Sequence, residues 1–188
     1  MLAALTGCSD DPAPIPTASA SPTVTDATTT PPTESQIATT AASRLIGEYY
    51  ATVDALNQNP ARSMGELRRV ATSGQLTALQ RAIATMRRDR ERQVGHTRVA
   101  EMTVQSVSLD NSDPEAGNVP TVVIDVCWDV SGADVVGPSG DSVIPANRPD
   151  TGWTRYLVAN YDWSENPDGA WRVAGGEDLE MTPCSPAA

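Results

Sequence analysis

The chain contains no lysine and no phenylalanine, one histidine (His96) and three cysteines (Cys8, Cys127, Cys184). Without lysine there is no Schiff-base nucleophile and no P-loop lysine to reach a nucleotide phosphate. A single histidine and three cysteines cannot furnish a His- or Cys-rich metal centre, so no metal and no cofactor is expected. All 13 basic residues are arginine, against 24 acidic ones, for a formal charge of −11. That balance excludes a dedicated nucleic-acid binder, whose phosphate contacts need a basic surplus. There is also no apolar run of the length that spans a bilayer. What is present is 39% apolar residues in 188, enough to fill one domain core. Four tryptophans and four tyrosines must supply the large apolar volume that phenylalanine does not.

Residues 1–8 read MLAALTGC. The ending Leu5-Thr6-Gly7-Cys8 resembles a bacterial lipobox, which implies a signal-peptide remnant and acylation, including palmitate, at Cys8. Seven residues are too few for an h-region, so the leader is expected to begin further upstream. Two or three acyl chains would hold the protein on a membrane where one would not. Residues 9–34 form the next segment. From Ser9 to Gln36, 21 of 28 residues are Thr, Pro, Ala or Ser, with no aromatic residue. Such a composition predicts a disordered, extended tether.

The domain is expected over residues 35–188. Thr33 and Gln36 form a capping-box pattern, followed by an apolar stripe of Ile37, Ala41, Leu45, Tyr49, Val53 and Leu56 that ends at Asn59-Pro60. Ser63 and Glu66 suggest a second capping box. Ser73 opens a third helix with Leu76, Leu79, Ile83 and Met86 on one face, closed by Gly95. The period then changes to 2. Strands are expected over 97–109, with a bulge at Gln105-Ser106, and over 121–130. Further strands are expected around a hairpin tip at Gly137–Asp141, over 153–163 and over 170–174. In the 121–130 strand Val122, Ile124, Val126, Trp128 and Val130 share one face, and Asp125, Cys127 and Asp129 the other. In the 153–163 strand the apolar phase reads Trp153, Leu157, Ala159, Tyr161 and Trp163. Helices followed by long antiparallel strands define an α+β class, with the helices packed on a curved antiparallel sheet.

Helix–helix–strand order ending in Asp168-Gly169-Ala170-Trp171-Arg172-Val173 resembles the NTF2-like (cystatin-like α+β cone) superfamily. The stretches TVVIDVCWDVSG (121–132), GWTRYLVANY (152–161) and AWRVAGGEDLEMTPC (170–184) are similar to small lipoproteins of actinobacteria and their prophages. That resemblance implies a protein on the extracytoplasmic face of the cell membrane. It also implies a non-catalytic domain binding an envelope protein or a small ligand, with superinfection exclusion as the prophage variant. An accessory subunit of an envelope transport complex and an isomerase-like NTF2-fold enzyme are the alternatives.

With Cys8 acylated, Cys127 and Cys184 remain, outside the cytoplasm where disulfides persist. Their bond would contribute roughly 4 kcal/mol by loop closure; the alternative is two buried thiols. An enzyme would draw on Tyr49 or Tyr50 with Asp125 or Asp129. Those aspartates sit opposite the apolar face, exposed or under the C-terminal tail, so catalysis is not expected. Counted from Asp110, the loop DNSDPEAGN has Pro114 at the fifth position of a calcium loop, and Thr121 beyond it stands where the bidentate glutamate belongs, so it reads as a hairpin loop. Tyr49, Trp128, Tyr161 and Trp163 are the candidate pocket residues. Charge is unevenly divided: ten arginines and five acids between Arg44 and Arg98, three arginines and fifteen acids from Val99 onward. Arg87, Arg88, Arg90 and Arg92 are the candidate contact to anionic lipid or a partner, with an Arg87–Glu91 pair expected within the helix end.

Overall fold

The computed structural model describes residues 31–181 together with 184 and 185. Cys8, the lipobox and the tether as far as residue 30 lie outside the described residues. Helix α1 (Glu34–Gln58) starts at the expected capping box: Thr33 Oγ1 accepts from the Gln36 amide at 3.3 Å, and the Thr33 amide donates to Gln36 Oε1 at 2.8 Å. Its buried stripe is Ala38, Ala41, Ala42, Leu45, Ile46 and Tyr49, continued by Leu56. Small residues let the helix lie close on the sheet. The expected second capping box does not form. Glu66 pairs with Arg62, at 2.5 Å to Nη2, instead of reaching back to the Ser63 amide, and Met64–Arg69 is a 3₁₀ segment. Val70 to Thr72 then runs beside the sheet, where Val173 N donates to Val70 O and Thr72 N to Val173 O, each at 2.9 Å.

Helix α2 (Ser73–Arg88) has Thr72, not Ser73, as its N-cap; no side chain caps it, and Ser73 itself takes φ +49°. It ends at Arg88, short of the expected Gly95, because Arg90 turns the chain at φ +59°. Residues Arg92–Val94 form β1 instead, paired antiparallel with β4 (Asp134–Val136). Gly95 serves this crossing, not a helix end. It has φ +73°, and a Cβ there would overlap the Gly132 carbonyl.

The main sheet is β2 (Arg98–Ser108), β3 (Thr121–Asp129), β5 (Thr151–Asn160) and β6 (Trp171–Leu179), in that order and antiparallel throughout. With α1 and α2 on one face, the class is α+β as expected. The expected bulge is present between Val104 and Ser106, and a second lies between Val99 and Glu101. On β5 the expected phase is reversed. Tyr156 and Val158 face the core, while Leu157 is 43% and Tyr161 50% exposed. Register decides this: Tyr156 stands opposite Ile124 and Val158 opposite Val122, both fully buried. Strand β6 runs five residues beyond Ala174, through Gly175 and Gly176. Gly176 sits against the Tyr156 ring, where a Cβ would come within 3.1 Å of it.

Candidate functional site

Within the apolar core between α1 and the sheet, three tyrosines meet. Tyr49 and Tyr50 are adjacent on α1, and their rings lie 5.4 Å apart edge to face; Tyr156 of β5 is 5.5 Å from Tyr49 and 6.2 Å from Tyr50. Gln75 of α2 donates to the Tyr49 hydroxyl at 2.5 Å, and the Tyr50 and Tyr156 hydroxyls share a bond of 2.9 Å. Burial holds all three phenols above their ordinary range; the neighbouring Tyr156 adds to this at Tyr49, and Tyr50 does so at Tyr156. The shift favours the neutral phenols, which hydrogen-bond to one another and to Gln75.

Where this cluster meets the surface, a groove of about 360 Å³ opens, lined by Tyr50, Thr97, Trp128, Val130, Arg148, Pro149 and Tyr156. Trp128 lies flat there because its cross-strand neighbour is Gly152, whose missing side chain leaves room for the indole. Its Nε1 donates to Thr154 Oγ1 at 3.1 Å, and Thr154 in turn donates to Asp178 at 2.8 Å. Arg148 Nη2 reaches the carbonyls of Val130 and Ala133, each at 3.0 Å, and so fixes the loop that forms one wall.

Of the four residues expected to share a pocket, only Trp128 lines this groove. Tyr49 is 4% exposed beneath it. Tyr161 lines a different cleft with Arg68 and Arg172. Trp163 packs edge to face on Trp171 at 5.9 Å, near Ile37 and Pro167. Tyr156, Thr97, Arg148 and Pro149 are lining residues that strand phase and spacing did not single out. Tyr156 was hidden by the reversed phase of β5, and Arg148-Pro149 lies in a connection without periodicity.

The outer face of β3 is covered. Both oxygens of Asp125 accept from Arg155, at 2.7 and 2.8 Å, and Asp129 accepts from Arg98 at 2.7 Å and from the Ser131 amide at 2.8 Å. A disulfide joins Cys127 to Cys184, with Cα atoms 6.2 Å apart, and Thr151 Oγ1 donates to the Cys184 carbonyl at 3.1 Å. Asp54, also buried, accepts from Gln93, the Thr97 amide and the Thr97 hydroxyl, tying α1 to the start of β2.

At the end of α2 the expected Arg87–Glu91 pair is not formed. Arg87 turns inward, its Nη2 donating to the carbonyls of Leu56 at 3.4 Å and Arg62 at 3.1 Å, so it closes the last turn of α1. Arg88 pairs with Asp89, and Arg90 and Arg92 are exposed.

No protein-family model and no curated protein matches the chain. Its structure is similar to the intermembrane-space region of the chloroplast protein ARC6, at 16% identity and TM-score 0.52, over 79% of this chain and 98% of that one. A second structure with which it shares a weaker likeness is that of the putative transfer protein TraH from the Gram-positive conjugative plasmid pIP501, at 12% identity and TM-score 0.40, over 76% of this chain and 94% of that one. At 16% identity the ARC6 likeness is one of fold alone. Among the described residues no helix is long and apolar enough to cross a membrane.

Proposed function

We propose that the chain is a lipid-anchored extracytoplasmic protein whose NTF2-like domain binds another envelope protein without catalysing a reaction. The observation that carries the binding reading is the open aromatic groove at Tyr50, Trp128 and Tyr156, set above an interior already filled with side chains. The disulfide supports an oxidising compartment, and it leaves Cys8 as the one cysteine for acylation. Against catalysis, Asp54, Asp125 and Asp129 each already have hydrogen-bond partners, and the tyrosines are held protonated. The prophage resemblance makes superinfection exclusion the specific form of this activity, with the groove meeting a host or phage envelope protein.

The test expresses the gene with its native leader and compares the wild type with Cys8→Ser and Trp128→Ala. The wild type should take up labelled palmitate, fractionate with membranes and lower the plating efficiency of infecting phage. Cys8→Ser should lose the label and the membrane fraction. Trp128→Ala should keep both and restore plating. An unlabelled wild type overturns the anchor, and phage titres unchanged by the wild type remove exclusion.

A further inference from the structure

The helical layer carries a second feature, distinct from the aromatic groove. Where α1 meets the 3₁₀ segment and the start of β6, two clefts of about 550 and 230 Å³ adjoin and share Glu48 and Arg69. The floor of the larger is the α1 stripe Glu48, Ala51, Thr52 and Ala55, residues at i, i+3, i+4 and i+7 and therefore on one helix face. Ala51 and Ala55 keep that floor low and supply its apolar part, between Glu48 and Thr52. Arg62 and Arg69 stand over it with Glu66 between them. Glu66 Oε2 is 2.5 Å from Arg62 Nη2 but 3.8 Å from Arg69 Nη2, so it neutralises Arg62 and only grazes Arg69.

The smaller cleft adds Arg44, Asp168 and Arg172. Arg172 donates from Nε to the Arg68 carbonyl at 2.9 Å and from Nη1 to the carbonyls of Gly169 and Trp171, at 3.3 and 2.6 Å. Those bonds fix the guanidinium without neutralising it. No carboxylate lies within ion-pair distance of it among the described residues, and burial pulls its pKa down while the field of Glu48 pushes it up. Arg44 lies 3.6 Å from Glu48 and offsets that carboxylate; Asp168 is the other acid lining the cleft. Arg172 is therefore a fixed guanidinium without a carboxylate in ion-pair contact, and Arg69, exposed and only loosely met by Glu66, lines the same small cleft. A phosphate presents several acceptor oxygens and matches the guanidinium fork, so one group can engage both.

We propose that the smaller cleft binds the phosphate of a phosphate ester between Arg69 and Arg172, with the ester's apolar body on the alanine floor of the larger cleft. This site does not depend on the lipid anchor or on the aromatic groove. A glycerophospholipid headgroup and a free phosphate ester share the chemistry, and the experiment separates them.

The full oxidised chain carrying Cys8→Ser, so that no acyl group contributes, is titrated with glycerol 1-phosphate. In parallel it is floated with vesicles of phosphatidylcholine alone or mixed with phosphatidylglycerol. Arg69→Glu removes a contact made by an exposed side chain, and Arg81→Glu makes the same charge change on α2 outside both clefts. Ala51→Leu raises the floor. The expected result is saturable binding that Arg69→Glu weakens by about tenfold and Arg81→Glu by less than about twofold. Binding of glycerol 1-phosphate alone assigns a free ester. Binding of phosphatidylglycerol vesicles, competed by glycerol 1-phosphate and reduced by Ala51→Leu, assigns a headgroup. Binding of neither probe, or equal loss in Arg69→Glu and Arg81→Glu, overturns the proposal.

Discussion

On β3, Val122, Ile124 and Val126 point toward α1 while Asp125, Cys127 and Asp129 point away from it, yet all six are buried. The two faces reach that state by opposite means. The inner face is closed by apolar contact with α1, Tyr156, Val158 and Trp171, which is non-directional and scales with area. The outer face is closed by groups placed directly across the sheet: Arg155 is the register partner of Asp125, and Arg98 that of Asp129. Between them Cys127 is pinned to Cys184. Alternation along a strand therefore reports which residues share a face. It does not report whether the residues of that face are buried, because half-exposed cross-strand arginines and a covalent bridge can cover polar side chains as well.

The contrast is broken most severely from the inside. Trp171 is 1% exposed and anchored through Nε1 to the Pro167 carbonyl at 2.7 Å. Trp171→Ala should cost about 4 kcal/mol in urea unfolding, from lost transfer energy and the cavity left behind. A loss below about 1 kcal/mol would mean that apolar packing is not what holds the inner face. On the outer face the largest single device is the disulfide, whose cysteines are 57 residues apart. Changing both cysteines to serine should cost up to about 4 kcal/mol, chiefly through a freer unfolded chain. Near-ultraviolet circular dichroism of the folded protein, dominated by the inner aromatic cluster, should change little. A collapsed aromatic signal would show that the two faces are coupled.

A smaller effect follows from the buried phenols. Their pKa values are raised in the fold, so the folded state retains protons that the unfolded state releases above the ordinary tyrosine range, near pH 10. Their contribution to stability is complete below that pH and is lost progressively above it, as pH rises towards the raised values of the folded state. The absorbance change of Tyr49, Tyr50 and Tyr156 should coincide with alkaline unfolding as followed by circular dichroism. Ionisation of these three well before unfolding would mean that the groove admits water to them.

Where sequence and structure agree, the deciding signals are local. The Thr33 box, the bulge near Gln105 and the turn at Asn166–Gly169 are each fixed within a few residues, by a cap, a slipped phase and an Asn side chain bonding Gly169 N. They part where a distant partner decides. Glu66 chose Arg62 over the backbone, and Arg87 turned to carbonyls 25 and 31 residues away. Pairing with Val122 and Ile124 set the phase of β5, although Trp153, Leu157 and Tyr161 look more apolar than Thr154 and Asn160 on the buried side. The same reversal scattered the expected pocket: Tyr161 and Trp163 left it, and Tyr156 entered. Trp128 was legible because β3 alternates cleanly at the centre of the sheet. The arginine clefts combine the 3₁₀ segment, α1 and β6, and no single stretch of sequence displays that combination.

The smallest expected effect is the sharpest test of the two-face comparison. Buried ion pairs lose solvation on folding, and replacing both partners with apolar groups of similar size is often neutral or stabilising. Asp125 with Arg155 meets that description on its acidic side: the Asp125 carboxylate is buried, its half-exposed partner Arg155 holds it bidentately, and the two are directly opposed across β3 and β5. Arg155→Met alone should lower Tm, because it leaves the Asp125 carboxylate buried without its charged partner. Asp125→Leu combined with Arg155→Met should return Tm to within a few degrees of the wild type. No second change on the inner face has a comparable rescue, since a cavity at Trp171 is not refilled by removing a neighbour. If the double variant is as unstable as Arg155→Met, the pair contributes net stability, and the outer face is held by electrostatics as firmly as the inner one is by packing. If it recovers, the salt bridge sets which residues meet across the sheet, while the disulfide and the tail keep that face dry.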